Sequence, residues 1–467
     1  MSRWANWAGG LPFAQRAIQL DLLFSPTSGL GLNIVRYNIG GGGVNEQQWN
    51  RFQLSKLIGL NSFKLTPGFK AGPNTAYNWS QDANQRRIML GAKARGVDNF
   101  EAVSYSPPAW LTISGSTTGN KQGADNLNQS NYEAFAEYLT DVVAAYARNP
   151  AWNITFNYLD PVNEPENGVW TAGGNQEGCD FTNRALDSLL PIVARALSAK
   201  KLTTKLAAID GWICNTPQVL QALSQSTQNV ITRVNVHGYA LKGQLGYDGD
   251  VATRVAVAKY AAKQGVSVAM SEWGPLNYEG LSDLGVALTM ALKIILDMNV
   301  MRVVAWSYWL AVGASSVPPH WGLLSTSYVY GNNVVLTKNK QYYVMMHFSR
   351  WIRPGSLVMR MNTRSCQGGL VVTYNARQNQ LVLVLAHYGV TERTITFDMS
   401  SLRSLRASGL GFAYVYRTSK RQNHAYVGYK AVALPGKFTI TLSKDQFIST
   451  YVFKQVQFVR PNSTLTH

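Results

Sequence analysis

Two short apolar runs in this chain end abruptly in a carboxylate. Tyr158-Leu159-Asp160-Pro161-Val162-Asn163-Glu164-Pro165 delivers Glu164, and Val268-Ala269-Met270-Ser271-Glu272-Trp273-Gly274 delivers Glu272. An acid at the C-terminal end of a buried strand, with Pro or Gly where the chain leaves the sheet, is how parallel α/β barrels present reacting groups. Two such acids suit glycoside hydrolysis. One carboxyl attacks the anomeric carbon and the other protonates the leaving oxygen, and a separation of roughly 5–5.5 Å goes with retention of configuration. In that chemistry Glu272 must be held ionised, with Arg36 and Tyr239 as candidate donors, while Glu164 must keep its proton in a less polar surround. Asn-Glu-Pro alone is a weak signal. Asn-Glu-Pro and Ser-Glu-Trp-Gly together, in this order and each after an apolar run, are a specific one.

Other residues fall at predicted strand ends and would gather at the same mouth: Arg36, Trp110, Asn163, Asp210, Trp212, His237, Tyr239, Trp306 and Trp309. Asn38 lies one turn of the pleat beyond Arg36 in the same run. Trp110, Trp170, Trp212, Trp306 and Trp309 offer flat faces for sugar rings, although core packing must claim some of the 13 tryptophans. Asn163, beside the acid, is placed to hold a sugar hydroxyl. His237 is given an orienting or substrate-binding role, because a retaining pair leaves it no proton to move.

Positioning these groups requires a strand–helix repeat. Leu30–Ile39 is an apolar, β-branched run ending in Gly40-Gly41-Gly42-Gly43, a loop that needs close backbone approach and lacks GxGxxG spacing. Strands are predicted at 100–106, 158–162, 205–209, 234–236, 266–270 and 303–306. Helices are predicted at 13–24, 79–95, 131–148, 182–199, 250–263, 281–298 and 338–351. The stripe Tyr132, Phe135, Ala136, Leu139, Val143 and Tyr146 makes the third of these helices amphipathic. A period of this length is that of a (β/α)8 TIM barrel, assigned to residues 1–350. Past Arg353-Pro354-Gly355, short alternating strands divided by turn residues predict an antiparallel β-sandwich over 351–467. Ser2–Gly10 reads as the end of a strand running into a loop.

Bulk composition narrows the function classes. The chain has 467 residues, 46% hydrophobic and 15% charged, enough for a large core and two domains. The greasiest stretch is broken by Lys293, Asp297 and Arg302, so no membrane span is predicted. A net charge of +18, from 43 basic and 25 acidic side chains, is compatible with an acidic polymer. The positive residues form no long run and the aromatics sit apart from them, which argues against nucleic acid. Three cysteines, Cys179, Cys214 and Cys366, lack metal-ligand spacing, and no metal or cofactor is called for. Cys179 and Cys214 follow successive strand ends on one barrel face and are expected to form a disulfide. Sequons at Asn78, Asn128, Asn153 and Asn462 point to secretion. No apolar leader follows Met1-Ser2-Arg3-Trp4.

Leu32–Asn38, Ser106-Pro107-Pro108-Ala109-Trp110-Leu111-Thr112, Pro161–Pro165, Ser271–Gly274 and Phe348–Gly355 resemble glycoside hydrolase family 30, retaining β-glycosidases with a barrel and an attached sandwich. Gly173-Gly174-Asn175-Gln176-Glu177-Gly178-Cys179 and Asn131–Tyr138 most resemble its endo-β-1,6-galactanases. The resemblance implies Glu164 as acid/base, Glu272 as nucleophile and a β-1,6-galactan side chain of arabinogalactan as polysaccharide substrate. Other specificities on the same machinery are glucanase, xylanase and glucosylceramidase action, or glycan binding without turnover. The protein is expected to act alone as a monomer. Ser2–Ala8 matches only the end of the family's first barrel strand, so the sandwich strand before it and the start of that strand are expected to be missing.

Overall fold

A computed structural model describes residues 2–42, 66–121, 123–166, 168–174, 176–239, 247–276, 278, 280–315, 321–328, 334–360, 369–389 and 392–458. The chain divides into two compact units. One comprises residues 1–277 and 301–337; the other comprises 278–300 and 338–467. The division expected near Arg353 thus falls inside the second unit, which also takes in two helices that precede it.

The first unit is built on seven parallel strands paired in chain order: β1 (Ile34–Asn38), β2 (Asn99–Val103), β3 (Phe156–Asp160), β4 (Lys205–Trp212), β5 (Arg233–His237), β6 (Ser267–Trp273) and β7 (Ala305–Tyr308). These strands alternate with helices that include Ala83–Lys93, Tyr132–Arg148, Asn183–Ala199 and Tyr247–Gln264, the right-handed βα repeat of a TIM barrel. The helix Tyr132–Arg148 buries the predicted stripe. No strand precedes Ile34 among the described residues. Ser2–Ala8, expected to end a strand, is helical, and Trp4, Ala5, Asn6, Trp7 and Ala8 are all buried, so the helix is enclosed on every side. Trp4 Nε1 donates to Gln19 Oε1 at 2.7 Å, and the Trp7 ring lies 5.0 Å from that of Tyr328.

Helices covering the sheet leave its strands little water. All five residues of β5 are buried. Charge inside the barrel is therefore paired: Arg233 meets Glu101 through two parallel hydrogen bonds of 2.8 and 2.6 Å and lies 3.7 Å over the Tyr158 ring. Near the C-terminal ends the register slips three times, between Ile209 and Gly211, Val236 and His237, and Met270 and Trp273. Each bulge re-aims the side chains that follow it. The result sets His237 beside both Trp212 and Glu272.

In the second unit a six-stranded antiparallel sheet runs in the order β8-β9-β10-β15-β12-β13. Its strands are β8 (Leu357–Val358), β9 (Leu370–Asn375), β10 (Gln380–Tyr388), β12 (Leu410–Ser419), β13 (Ala425–Ala433) and β15 (Gln446–Lys454). The pair β11 (Arg393–Asp398) and β14 (Lys437–Leu442) completes the sandwich. Leu381, Leu383, Leu385, Phe438, Tyr451 and Phe453 are among the residues of its core. The helix Asp283–Leu296, prolonged by a π turn over Asp297–Met301, is apolar and long enough to cross a membrane, but most of it is buried in the fold. It packs on the helix Lys340–Ser349, as a core helix does.

Candidate active site

Glu164 and Glu272 come together at the mouth formed by the strand ends. Glu164 follows β3 with a left-handed backbone (φ 47°), a conformation a non-glycine residue keeps only when its surroundings hold it. Its N–H donates to Asp210 O at 2.9 Å, and Trp170 Nε1 donates to its carbonyl at 3.0 Å. Glu272 lies within β6, after the bulge. The acids are 8% and 7% exposed, so both are nearly shut off from solvent. A carboxylate oxygen of each and a ring nitrogen of His237 all lie within 4.8 Å of one another.

His237, fully buried, links the acids. Its Nδ1 is 2.8 Å from Glu164 Oε1 and 3.8 Å from Glu272 Oε1. Its Nε2 faces Asp210 Oδ1 at 3.3 Å, close enough for attraction although not aligned as a hydrogen bond. Glu272 has the two donors expected of it: Tyr239 Oη donates to Oε1 at 3.0 Å and Arg36 Nη1 to Oε2 at 3.3 Å. Arg36 is also ion-paired with Asp210, which in turn accepts a hydrogen bond from Ser271 Oγ. Burial, the largest influence, pushes the Glu272 carboxyl above its ordinary value. His237, Arg36 and the Tyr239 hydroxyl act in the opposite direction, whereas the charge of Glu164 adds to the rise. Donors are thus present, yet the net shift is upward because the site is closed.

A cleft of about 440 Å³ opens onto this pair, lined by Tyr105, Asn163, Glu164, Gln176, Glu177, Trp212, Tyr239, Glu272, Trp309 and Trp321, among others. Asn163 Oδ1 and Trp212 Nε1 are buried without hydrogen-bond partners among the described residues, so both have capacity left for a ligand. The remaining candidates are placed elsewhere. Arg36 pairs with Asp210, which also faces His237, so these three support the acids from within the barrel mouth. Asn38 is fully buried, its amide given to Thr66 Oγ1 at 3.0 Å and Glu177 Oε2 at 2.7 Å, and it does not reach the cleft. Trp110 gives its Nε1 to Lys70 O, Trp170 is buried beneath Glu164, and Trp306 packs on Trp273 and Tyr308. None of these three lines the cleft. The disulfide expected between Cys179 and Cys214 is absent. Cys179 is buried with its Sγ turned to Asp180 O, whereas Cys214 is half-buried near Glu166. Following neighbouring strands did not bring the two sulfurs together.

Besides Asp210, three further buried acids surround the central pair. Glu177, which burial pushes up to about 7, accepts from Asn38, Thr66 N and Gly41 N and so ties its loop to the glycine turn after β1. That turn does need glycine: a Cβ at Gly40 would come 2.3 Å from Thr66 O. Glu166, also pushed by burial to about 7, accepts from Trp212 N at 2.6 Å and fixes the start of the turn carrying that ring. Asp160 lies deeper in the barrel and burial takes it to about 7. Glu166 directly follows the Tyr158–Pro165 run and Glu177 belongs to the Gly173–Cys179 stretch, so both were visible in sequence, but nothing there showed that they were buried. Tyr105 and Trp321 carried no signal. Glu164, His237 and Glu272 would suit a divalent metal by ligand type, but Arg36 and Tyr239 already engage both oxygens of Glu272.

A family model described as O-glycosyl hydrolase family 30 matches residues 12–317. An endo-beta-1,6-galactanase of Hypocrea rufa is 30% identical over 95% of this chain and 91% of its own. Among solved structures, a conserved exported protein from Bacteroides fragilis has a TM-score of 0.79 at 20% identity, covering 97% of this chain and 96% of that one. The catalytic domain of xylanase C from Talaromyces cellulolyticus has a TM-score of 0.67 at 20% identity, covering 96% and 93%. At such identities the structural likeness bears on the fold.

Proposed function

The chain belongs to glycosyl hydrolase family 30 and is a glycosidase, and from that premise we propose that it is a retaining endo-β-1,6-galactanase with Glu272 as nucleophile and Glu164 as acid/base. The observation that carries the mechanism is the approach of the two carboxylates to within 4.8 Å, near the spacing that leaves no room for a water between the nucleophile and the sugar.

In the first step an oxygen of Glu272 bonds to the anomeric carbon while the glycosidic oxygen departs with the proton of Glu164. In the second, Glu164 takes a proton from water, the water oxygen bonds to the anomeric carbon, and Glu272 leaves as carboxylate. Tyr239 and Arg36 hold the nucleophile's two oxygens. His237 holds the Glu164 carboxyl, and Trp170 holds its backbone carbonyl. Asn163 Oδ1 is left to accept the sugar's 2-hydroxyl, and Trp212, Trp309 and Trp321 give flat faces for sugar rings.

The choice of β-1,6-galactan rests on the Hypocrea rufa relative, a full-length match. The polymer is a side chain of arabinogalactan, and glucuronic acid on it would complement the net charge of +18. Secretion accords with the sequons and with the relative named as an exported protein. The enzyme acts as a monomer and uses no cofactor. Digestion of a polymer panel tests this reading. β-1,6-Galactan should be cleaved internally and fastest, and Glu272→Ala should abolish cleavage. Faster release from β-1,6-glucan or xylan would overturn the substrate assignment, and an active Glu272→Ala would overturn the mechanism.

A further inference from the structure

We propose that the edge of the β-sandwich carries a second binding surface, for a carboxylate-bearing polysaccharide, built on an aromatic row across β12 and β13. On β12, Phe412, Tyr414 and Tyr416 alternate with the inward Ala413 and Val415, so the three rings share the outer face. Cross-strand register places Tyr429 opposite Tyr414, and a bulge at Val415/Tyr416 lets Tyr426 fall opposite Tyr416 on that same face. The rings form two pairs, Phe412 with Tyr429 at 5.6 Å and Tyr416 with Tyr426 at 5.5 Å. Tyr416 is itself covered by Trp351 at 4.7 Å and His424 at 5.1 Å, so it backs Tyr426 and the exposed rings are those of β13. Tyr426 is 53% and Tyr429 62% exposed, on an edge strand. The exposed Tyr426 and Tyr429 lie three residues apart on β13, about 10 Å along the strand, long enough for a short oligosaccharide.

Charge identifies the occupant. Residues 351–467 hold 15 basic and 3 acidic side chains, a net +12 out of the chain's +18. The Arg406 guanidinium stands 5.0 Å over the Phe412 ring at one end of the row. At the other end Lys420 and Arg421 are exposed in the turn joining β12 to β13. Lys340 holds that turn in shape, its Nζ donating to Ser419 O at 2.7 Å and Gln422 O at 3.2 Å. From 401 to 467 the sole acid is Asp445, in the turn between β14 and β15. Tyrosines with wet hydroxyls stack on the apolar faces of sugar rings, and cations at both ends of the row meet carboxylates. Contrary to the expectation from sequence, aromatics here do stand among Arg and Lys, so single-stranded nucleic acid would use the same groups; the choice of a glycan rests on the assignment of the chain as a glycosidase.

The test uses the full chain carrying Glu272→Gln, so that polymer is bound and not consumed. Its affinity is measured for glucuronic-acid-bearing arabinogalactan and for the same polymer after carboxyl reduction, with and without Tyr426→Ala/Tyr429→Ala. Removing the tyrosines should weaken binding about tenfold or more, and carboxyl reduction should weaken it as well. In the wild-type background the tyrosine variant should cleave a short galacto-oligosaccharide at the unaltered rate. Unchanged polymer affinity in an equally stable tyrosine variant overturns the proposal. So does tighter tyrosine-dependent binding of single-stranded DNA, or a loss confined to self-association. If the wild type cleaves galactan and binding ignores the tyrosines, the surface fails and the proposed activity stands. If binding needs the tyrosines but galactan is not cleaved, the substrate assignment fails instead.

Discussion

Replacing Tyr239 by Phe removes a single oxygen from the site and leaves the packing of the ring, 6.0 Å from both His237 and Trp212, in place. What is lost is the 3.0 Å donor to Glu272 Oε1, in a buried setting where no other described donor is as close to that oxygen. A hydrogen bond to a charged group is worth about 1.5–3 kcal/mol. Arg36 still holds Oε2, so the carboxylate stays in the site but gains freedom about its last torsion. Since that bond fixes the attacking group, kcat/KM should fall by roughly ten- to a hundredfold. The same loss has a second signature. The Tyr239 hydroxyl is one of the groups that lower the Glu272 carboxyl against the rise from burial, so its removal lets that carboxyl rise further. Because the nucleophile must be ionised, the acid limb of the kcat/KM profile should move to higher pH. The assay is the pH dependence of kcat/KM on a β-1,6-galacto-oligosaccharide, with thermal melts showing that the fold is intact. A variant with wild-type kcat/KM and an unmoved acid limb would refute the role given to Tyr239.

Three further substitutions probe the account. Glu164→Gln should lower kcat on natural galactan by about 10²–10⁴-fold, and a substrate whose leaving group needs no proton should restore the first step; equal losses on both substrates would remove Glu164 from the acid role. Glu166→Gln keeps an acceptor for Trp212 N but cannot titrate. The wild-type carboxyl is raised from 4.5 to about 7, so the folded state binds the extra proton and stability falls as pH rises through that window. The variant's melting temperature should therefore decline less between pH 4.5 and 7. Arg233→Met leaves Glu101 buried without its partner and should cost about 3–5 kcal/mol in chemical denaturation; adding Glu101→Leu should recover most of that loss.

Sequence made the acids legible because each sits at an abrupt change from apolar run to carboxylate, and that change marks a strand end. The sandwich strands were legible for a similar reason, since one buried face imposes alternation at every second residue. What lay beyond such local signals was set by long-range packing. Three bulges decide which groups reach the cleft, and a one-residue slip is invisible in composition. Asn38 and Asp210 look like exposed strand-end polar groups, yet Glu177 and Arg36, distant in sequence, bury and pair them. Trp306 lies within β7 and packs on Trp273 and Tyr308, whereas Trp309, one residue past the strand's end, lines the cleft. The helix at Ser2–Ala8 is short and buried all round, so it shows no apolar period that would mark it in sequence.

Double displacement through Glu272 fixes the stereochemistry of the first product. Proton NMR of the anomeric signals during early hydrolysis of a β-1,6-galacto-oligosaccharide should show the β-anomer first, with the α-anomer growing in only as the product mutarotates. An α-anomer formed first would mean a single inversion at the anomeric carbon and would contradict the nucleophilic role of Glu272.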